Sequence, residues 1–296
     1  MAVTLCGAKS EYENLTSVML YRPGPEIGNY PDPIRIQHLA PINYLSLMRE
    51  FGNIIACFEN LGVTVNLIDP AQIDDERDYL YNMMYCRDLL FMTPRGAIMA
   101  SMANAVRRAE PLHAARFLEA HGIPLLHTVA GAGRFEGADA LWLKDDLVLV
   151  GVGNRTNREG FRQVREILEP QGVECLALPS HQVTTQHLLG SIQLVDRDLA
   201  LVRHEIIAAE VIAFLEERNI TVVKIPENLE VRERQAMNIV TVAPRRVIMT
   251  AGCPETKRLF REAGVTIAAE LDLTQLINGA GGLACATGII ARAGKA

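Results

Sequence analysis

The sequence predicts an α/β fold made of five similar units, each of about 50 residues, packed into a closed ring. Three observations carry this expectation: a strand-like apolar run that recurs five times, an amphipathic helical segment before each run, and a pair of apolar runs joined by a short turn.

The strand-like runs are Gly62–Ile68, Gly122–Leu126, Gly172–Leu178, Asn219–Ile225 and Gly264–Ile267, with starts 60, 50, 47 and 45 residues apart. Leu112–His121, Gly160–Leu168 and Ala208–Arg218 illustrate the helical segments, with apolar residues at helical spacing. The paired runs occupy Asp88–Met99, Ala140–Val150, Ser191–Val202 and Asn238–Met249, broken respectively at Thr93–Gly96, Lys144–Asp146, Asp196–Asp198 and Pro244–Arg246. Such pairs read as hairpins. A degraded fifth copy is expected over Gly282–Ile290. Units of this length cannot bury their own apolar face, so they pack on neighbours in an open stack or a closed ring. No polar capping unit follows the fifth copy, which favours the ring, and no Pro/Gly/Ser-rich linker divides the chain, which favours one domain over residues 1–296.

Composition narrows the class. Of 296 residues, 49% are hydrophobic and 22% charged, an ordinary globular balance. The net charge of −6 argues against nucleic-acid binding, which needs a basic surface to neutralise phosphates. No run approaches the ~20 apolar residues of a membrane span, and the first residues lack the pattern of a secretory signal. Cys6, Cys57, Cys86, Cys175, Cys253 and Cys285 are scattered without a CxxC pair, so neither a zinc ribbon nor a disulfide framework is suggested. These features set the expectation of a cytoplasmic protein with free thiols, no metal and no cofactor. The histidines outside His187 lack ligand spacing, and His181 reads as a loop residue.

The units differ where chemistry would reside. At the entry of each hairpin's first strand stands a polar residue: Asp88, Glu136, His187, Asn238 and Cys285, spaced 48, 51, 51 and 47. Taken singly, each is an ordinary turn, core or strand-capping residue. In a ring, equivalent positions converge, and these five would line one cavity. A thiol needs a basic partner to become a nucleophile, so a thiol, an imidazole and two carboxylates together form a reactive set.

Several segments resemble the guanidine-modifying pentein superfamily, which includes arginine deiminases, dimethylarginine dimethylaminohydrolases, amidinotransferases and arginine dihydrolases. They are Val18–Gly24, Cys86–Phe91, Phe135–Asp139, Gly153–Asn157, His187-Leu188 and Gly279–Cys285, in the family's order and spanning nearly the whole chain. The resemblance implies a five-bladed αβ propeller with pseudo-fivefold repeats. It also implies hydrolysis of the guanidinium group of arginine or a derivative, through a covalent S-alkyl-thiouronium on Cys285. His187 would shuttle the proton, Asp88 and Glu136 would hold the guanidinium N–H groups, and Asn82, Arg155 and Asn238 would contact substrate, Arg155 at a substrate carboxylate. The expected partner is a small guanidino compound, and a homodimer is a family-level expectation.

The departures bear on substrate. Asn82 stands where a dimethylargininase-like pattern has a carboxylate, as in arginine dihydrolases. Ser101 stands where gapless counting from Asp88 places a carboxylate-binding arginine. Leu189 replaces the aspartate of His-x-Asp in deiminases and amidinotransferases, while Ala138 and Ala284 replace other family residues. The runner-up reading is an amidinotransferase using the same Cys285–His187 pair. A pentein-like binding ring would lack this reactive set, and a thiol protease would leave its phasing with the repeat unexplained.

Overall fold

The computed structural model describes residues 6–70, 80–179 and 185–293. His181 lies outside them. Five three-stranded sheets share one plan. Four follow directly along the chain: β3 (Leu90–Thr93), β4 (Gly96–Met99) and β5 (Leu125–Thr128); β6 (Ala140–Lys144), β7 (Leu147–Val152) and β8 (Glu174–Pro179); β9 (Ile192–Asp196), β10 (Leu199–Arg203) and β11 (Thr221–Ile225); β12 (Val240–Ala243), β13 (Arg246–Thr250) and β14 (Thr266–Leu271). In each, the first two strands form an antiparallel hairpin and the third pairs parallel to the second. A parallel pair needs a crossover, supplied here by α2 (Glu110–Ala120), α3 (Arg158–Leu168), α4 (Ala209–Glu216) and α6 (Pro254–Glu262).

The fifth sheet departs from the sequence expectation. Gly282–Ile290 does not form a hairpin: it contains the short helix α8 (Leu283–Ala286) and the start of β15 (Gly288–Ala293). The missing hairpin partner comes from the other end of the chain. β1 (Asn14–Tyr21) pairs antiparallel with β15 and parallel with β2 (Thr64–Ile68), which it reaches through α1 (Tyr44–Asn60). Neighbouring units touch all the way round: β15 meets β3, β3 the turn at Gly137–Asp139, β6 the turn at Leu188–Gly190, β9 meets β12, and β12 meets β1. The ring is closed, and the fold is the pentein five-bladed propeller.

Burial follows position in the sheet. β3 and β4 are buried throughout, whereas the outer β2, β11 and β14 alternate or fray into solvent. The glycine that introduces each third strand has a helical origin. Gly62, Gly122, Gly172 and Gly264 all have φ between 72° and 79°, and Asn219 takes the same role at 61°. These residues stop the preceding helix in the left-handed conformation, which glycine adopts freely and asparagine tolerates. The strands proper therefore begin two or three residues later than the runs suggest.

Packing between blades is specific. Trp142 on β6 stacks on Phe91 of β3, with ring centroids 5.6 Å apart. Its indole Nε1 donates to the Met92 carbonyl at 3.1 Å. Its backbone N–H donates to Glu11, which also accepts two bonds from Arg87 Nη2 at 3.0 and 2.9 Å. Glu11 thus ties the N-terminal segment to two blades. Among the described residues, no helix is long and apolar enough to cross a membrane. Trp142→Phe keeps the stacked ring but deletes the indole donor, and is expected to cost about 1–3 kcal/mol. Urea unfolding followed by circular dichroism measures this directly.

Candidate functional site

Each first strand is entered through a tight turn, and these turns carry the candidate residues. Asp88 lies within the 3-10 turn Cys86–Leu89; Glu136 and His187 are the N-caps of the turns Gly137–Asp139 and Leu188–Gly190; Cys285 lies in α8. The turns pack backbone against backbone. A Cβ on Gly137 would sit 2.0 Å from the Leu90 carbonyl oxygen, so only glycine allows this approach. Asp139 joins two turns, accepting from Leu188 N–H at 3.0 Å and from the Thr156 hydroxyl at 2.7 Å.

Asp88, His187, Asn238, Cys285 and Asn82 line one cavity of 430 Å³. Residues spread over some two hundred positions of the chain are thus brought together by the ring. His187 Nε2 lies 2.7 Å from Glu136 Oε2, and its Nδ1 lies 3.7 Å from Asp88 Oδ1. Burial opposes protonation of His187, but Asp88, Glu136 and Asp139 outweigh it and raise the imidazole to about 9. Burial works against ionisation of Glu136 too, yet the bond to His187 and the nearby Arg107 and Arg155 lower its carboxyl to about 2. The pair is therefore an imidazolium–carboxylate pair.

Cys285 is held by Asn238, whose Nδ2 lies 3.0 Å from Sγ and whose Oδ1 accepts from the backbone N–H groups of Ala284 and Cys285 at 2.7 and 3.3 Å. A Cβ on Gly282 would fall 2.7 Å from Asn238 Cγ, so this glycine makes room for the amide. Burial and the negative charge of Asp88 raise the Cys285 thiol, partly offset by its bonds to Asn238 and to the Gly282 backbone.

Other expected residues are employed differently. Glu136 is completely buried; one of its oxygens is taken by His187, and the other accepts from Ala103 N–H at 3.1 Å. Both of its oxygens are thus engaged within the protein, one of them by His187. Asn238 was expected to contact substrate, but both ends of its amide are engaged with the cysteine loop. Asn82 is 2% exposed, and its Nδ2 donates to the Ile36 carbonyl at 2.7 Å. Arg155 lies 3.6 Å from Glu136 Oε1 and bonds Gln186, which lines the cavity.

The sequence reading missed Arg107 and Glu110. Arg107 Nη1 donates to Asp88 Oδ2 at 2.5 Å, its Nε to Glu110 Oε2 at 2.8 Å, and its Nη2 to the Asn82 carbonyl at 3.1 Å. Asp88 Oδ1 is left buried with no hydrogen-bond partner. Ser101, where a carboxylate-binding arginine was sought, exchanges backbone bonds with Phe135. Arg107 and Arg108 are indistinguishable by residue type, and nothing in the sequence marks which one turns inward. One donor atom each of Asp88, Glu136 and His187 lies within 4.8 Å of the others, a spacing that could hold a metal ion and that no local sequence pattern announces. Arg107, 4.0 Å from Glu136 Oε2, already supplies positive charge at that cluster.

Residues 75–216 match the family model for arginine deiminase. The chain is 25% identical over 254 residues to an N(G),N(G)-dimethylarginine dimethylaminohydrolase of Pseudomonas aeruginosa, covering 86% of this chain and 92% of that one. A Streptomyces coelicolor protein of the same description is 26% identical over 197 residues, 67% of this chain and 68% of that one. Among solved structures, the Pseudomonas aeruginosa hydrolase complexed with citrulline superimposes with a TM-score of 0.73 at 22% identity, covering 93% and 98% of the two chains. The inosamine-phosphate amidinotransferase of Streptomyces griseus gives 0.76 at 19% identity, covering 98% of each. A cyanobacterial arginine dihydrolase gives 0.75 at 16% identity, covering 92% of this chain and 40% of that longer one. The fold is that of the penteins, and the ordered motifs and sequence likenesses run to their guanidine-modifying members.

Proposed function

We propose that this protein is a cysteine-dependent hydrolase of the guanidinium group of arginine or an arginine derivative, with residues 1–296 acting as one domain. The observation that carries the reading is the unpartnered Asp88 Oδ1, buried beside His187 on the cavity that Cys285 also lines. A buried carboxylate oxygen without a donor is costly, and a guanidinium N–H would satisfy it.

The cation enters with an N–H on Asp88 Oδ1. Its charge favours ionisation of the neighbouring thiol, which would otherwise stay protonated. Cys285 Sγ then attacks the guanidinium carbon. His187, as imidazolium held by Glu136, delivers its proton to one nitrogen, and the C–N bond breaks to release ammonia or an amine. The S-alkyl-thiouronium left on Cys285 is attacked by water. His187, now neutral, takes the water's proton, and the C–S bond breaks to return the thiolate. Asn238 acts throughout by holding the sulfur and its backbone in place. Arg155 is assigned to a substrate carboxylate, from its position against Gln186 on the cavity wall. Asn82, an amide where dimethylargininase-like chains have a carboxylate, points to a substrate whose terminal nitrogens are unsubstituted, as in arginine dihydrolases.

Mass spectrometry of products from arginine, methylated arginines, agmatine and guanidino acids tests the proposal. Ornithine with two ammonia, or citrulline with one nitrogen product, supports it; guanidinoacetate formed only when glycine is added would replace hydrolysis by amidino transfer. Cys285→Ser is expected to abolish turnover with the melting temperature unchanged, and substantial residual activity would remove the nucleophile assignment. Glu136→Gln tests the proton donor. His187 must carry its proton to release the leaving group, so activity declines as pH rises through about 9. Removing the Glu136 charge lowers that value, and the alkaline limb of kcat is expected to move to lower pH by roughly one unit or more. A limb that stays in place would show that the pair does not control the step.

A further inference from the structure

The site contains a buried acid, Glu110, whose role neither the mechanism nor the packing of the turns accounts for. Glu110 opens α2, is completely buried, and touches the reacting region only through Arg107. Its Oε1 has no hydrogen-bond partner. A helix cap or a surface ion pair accounts for neither fact.

We propose that Glu110 is a positioning residue for cation capture: by holding Arg107, it turns one oxygen of Asp88 to the cavity and leaves that oxygen free to receive a guanidinium. The proposal rests on the reading of Asp88 given above. A guanidinium is a rigid planar fork, so fixing one N–H direction fixes the others. Glu110 takes Nε, the carbonyls of Asn82 and Tyr85 take Nη2 at 3.1 and 3.5 Å, and Nη1 is thereby aimed at Asp88 Oδ2. Asp88 cannot rotate without breaking that bond, and Oδ1 stays on the side of His187.

Charge sharing works in the same direction. Arg107 lies between two carboxylates at 2.8 and 2.5 Å, with a third at 4.0 Å. Because its single positive charge is divided, Asp88 keeps negative potential toward the cavity. With Glu110 neutral, more of the Arg107 charge would fall on Asp88, and a second cation would be attracted less strongly. Neither Cys285 nor His187 touches Glu110, and His187 faces Asp88 Oδ1 and not the Oδ2 that Arg107 holds, so the effect falls mainly on capture.

The test compares second-order alkylation of Cys285 by a haloacetamidinium, a planar cation, with that by neutral iodoacetamide, in the full-length wild type and E110Q. The labelled cysteine is mapped by mass spectrometry. The pH is 8, above the value of about 7 to which burial pushes the Glu110 carboxyl. E110Q is expected to lower the rate ratio of cation to neutral reagent by about tenfold, with the iodoacetamide rate within about twofold of wild type. With a turnover substrate, KM should rise about tenfold and kcat stay within about twofold. An unchanged ratio in folded E110Q, or an equal loss for both reagents with a lowered melting temperature, would overturn the proposal. If E110Q does not fold, R107K serves: an ammonium cannot hold both carboxylates in a fork, so the same fall is expected, and an unchanged ratio again overturns it. The readout does not require guanidine hydrolysis. A fallen ratio in a protein that hydrolyses no guanidine would reject the proposed function and leave the role of Glu110 standing.

Discussion

The pairing of β15 with β1 is the constraint on which the rest depends. Residues near the two ends of the chain share a ladder from Asn14↔Ala293 to Met19↔Gly288, and this completes a sheet that neither end could form alone. Without it, the five sheets would be an open stack with two unpaired edges. With it, the turn before β15, which holds Cys285, is brought against the turn before β3, which holds Asp88. Closure of the ring and assembly of the site are one event.

A second consequence is electrostatic. The entry turns carry charge into a region where water cannot screen it, so each charge needs a partner within the protein. The partners form a chain: Glu110 on Arg107, Arg107 on Asp88, and Glu136 on His187, with Asp139 tying the Glu136 and His187 turns together. Of the fully buried side-chain atoms in this chain, only Asp88 Oδ1 and Glu110 Oε1 lack a hydrogen bond among the described residues. The first opens on chemistry; the second records how one guanidinium is shared between two acids. Burial and Asp88 also raise the Cys285 thiol.

Much of this was legible in the chain. Repeats near fifty residues, with the polar entry residues in phase, gave the ring and the convergence of Asp88, Glu136, His187, Asn238 and Cys285. The leading glycines were visible as well, although their meaning was helix termination and not strand initiation. The degraded fifth hairpin was misread because its second strand lies at the opposite end of the sequence, where no local pattern points to it. Arg107 escaped notice for a similar reason. It ends the short 3-10 turn Ala105–Arg107 beside another arginine, and only packing decides which of the two is buried.

Residue periodicity and motif order by themselves determined the fold class, the number of units and which polar residues share one end of the ring, because these follow from local propensity and from spacing along the chain. The tertiary structure alone decided which oxygen is free, which acid serves the histidine and which arginine braces the aspartate. Those roles depend on distances of a few ångströms between side chains from different units. A one-dimensional spacing can bring residues to the same end of a ring, but it cannot orient a carboxylate.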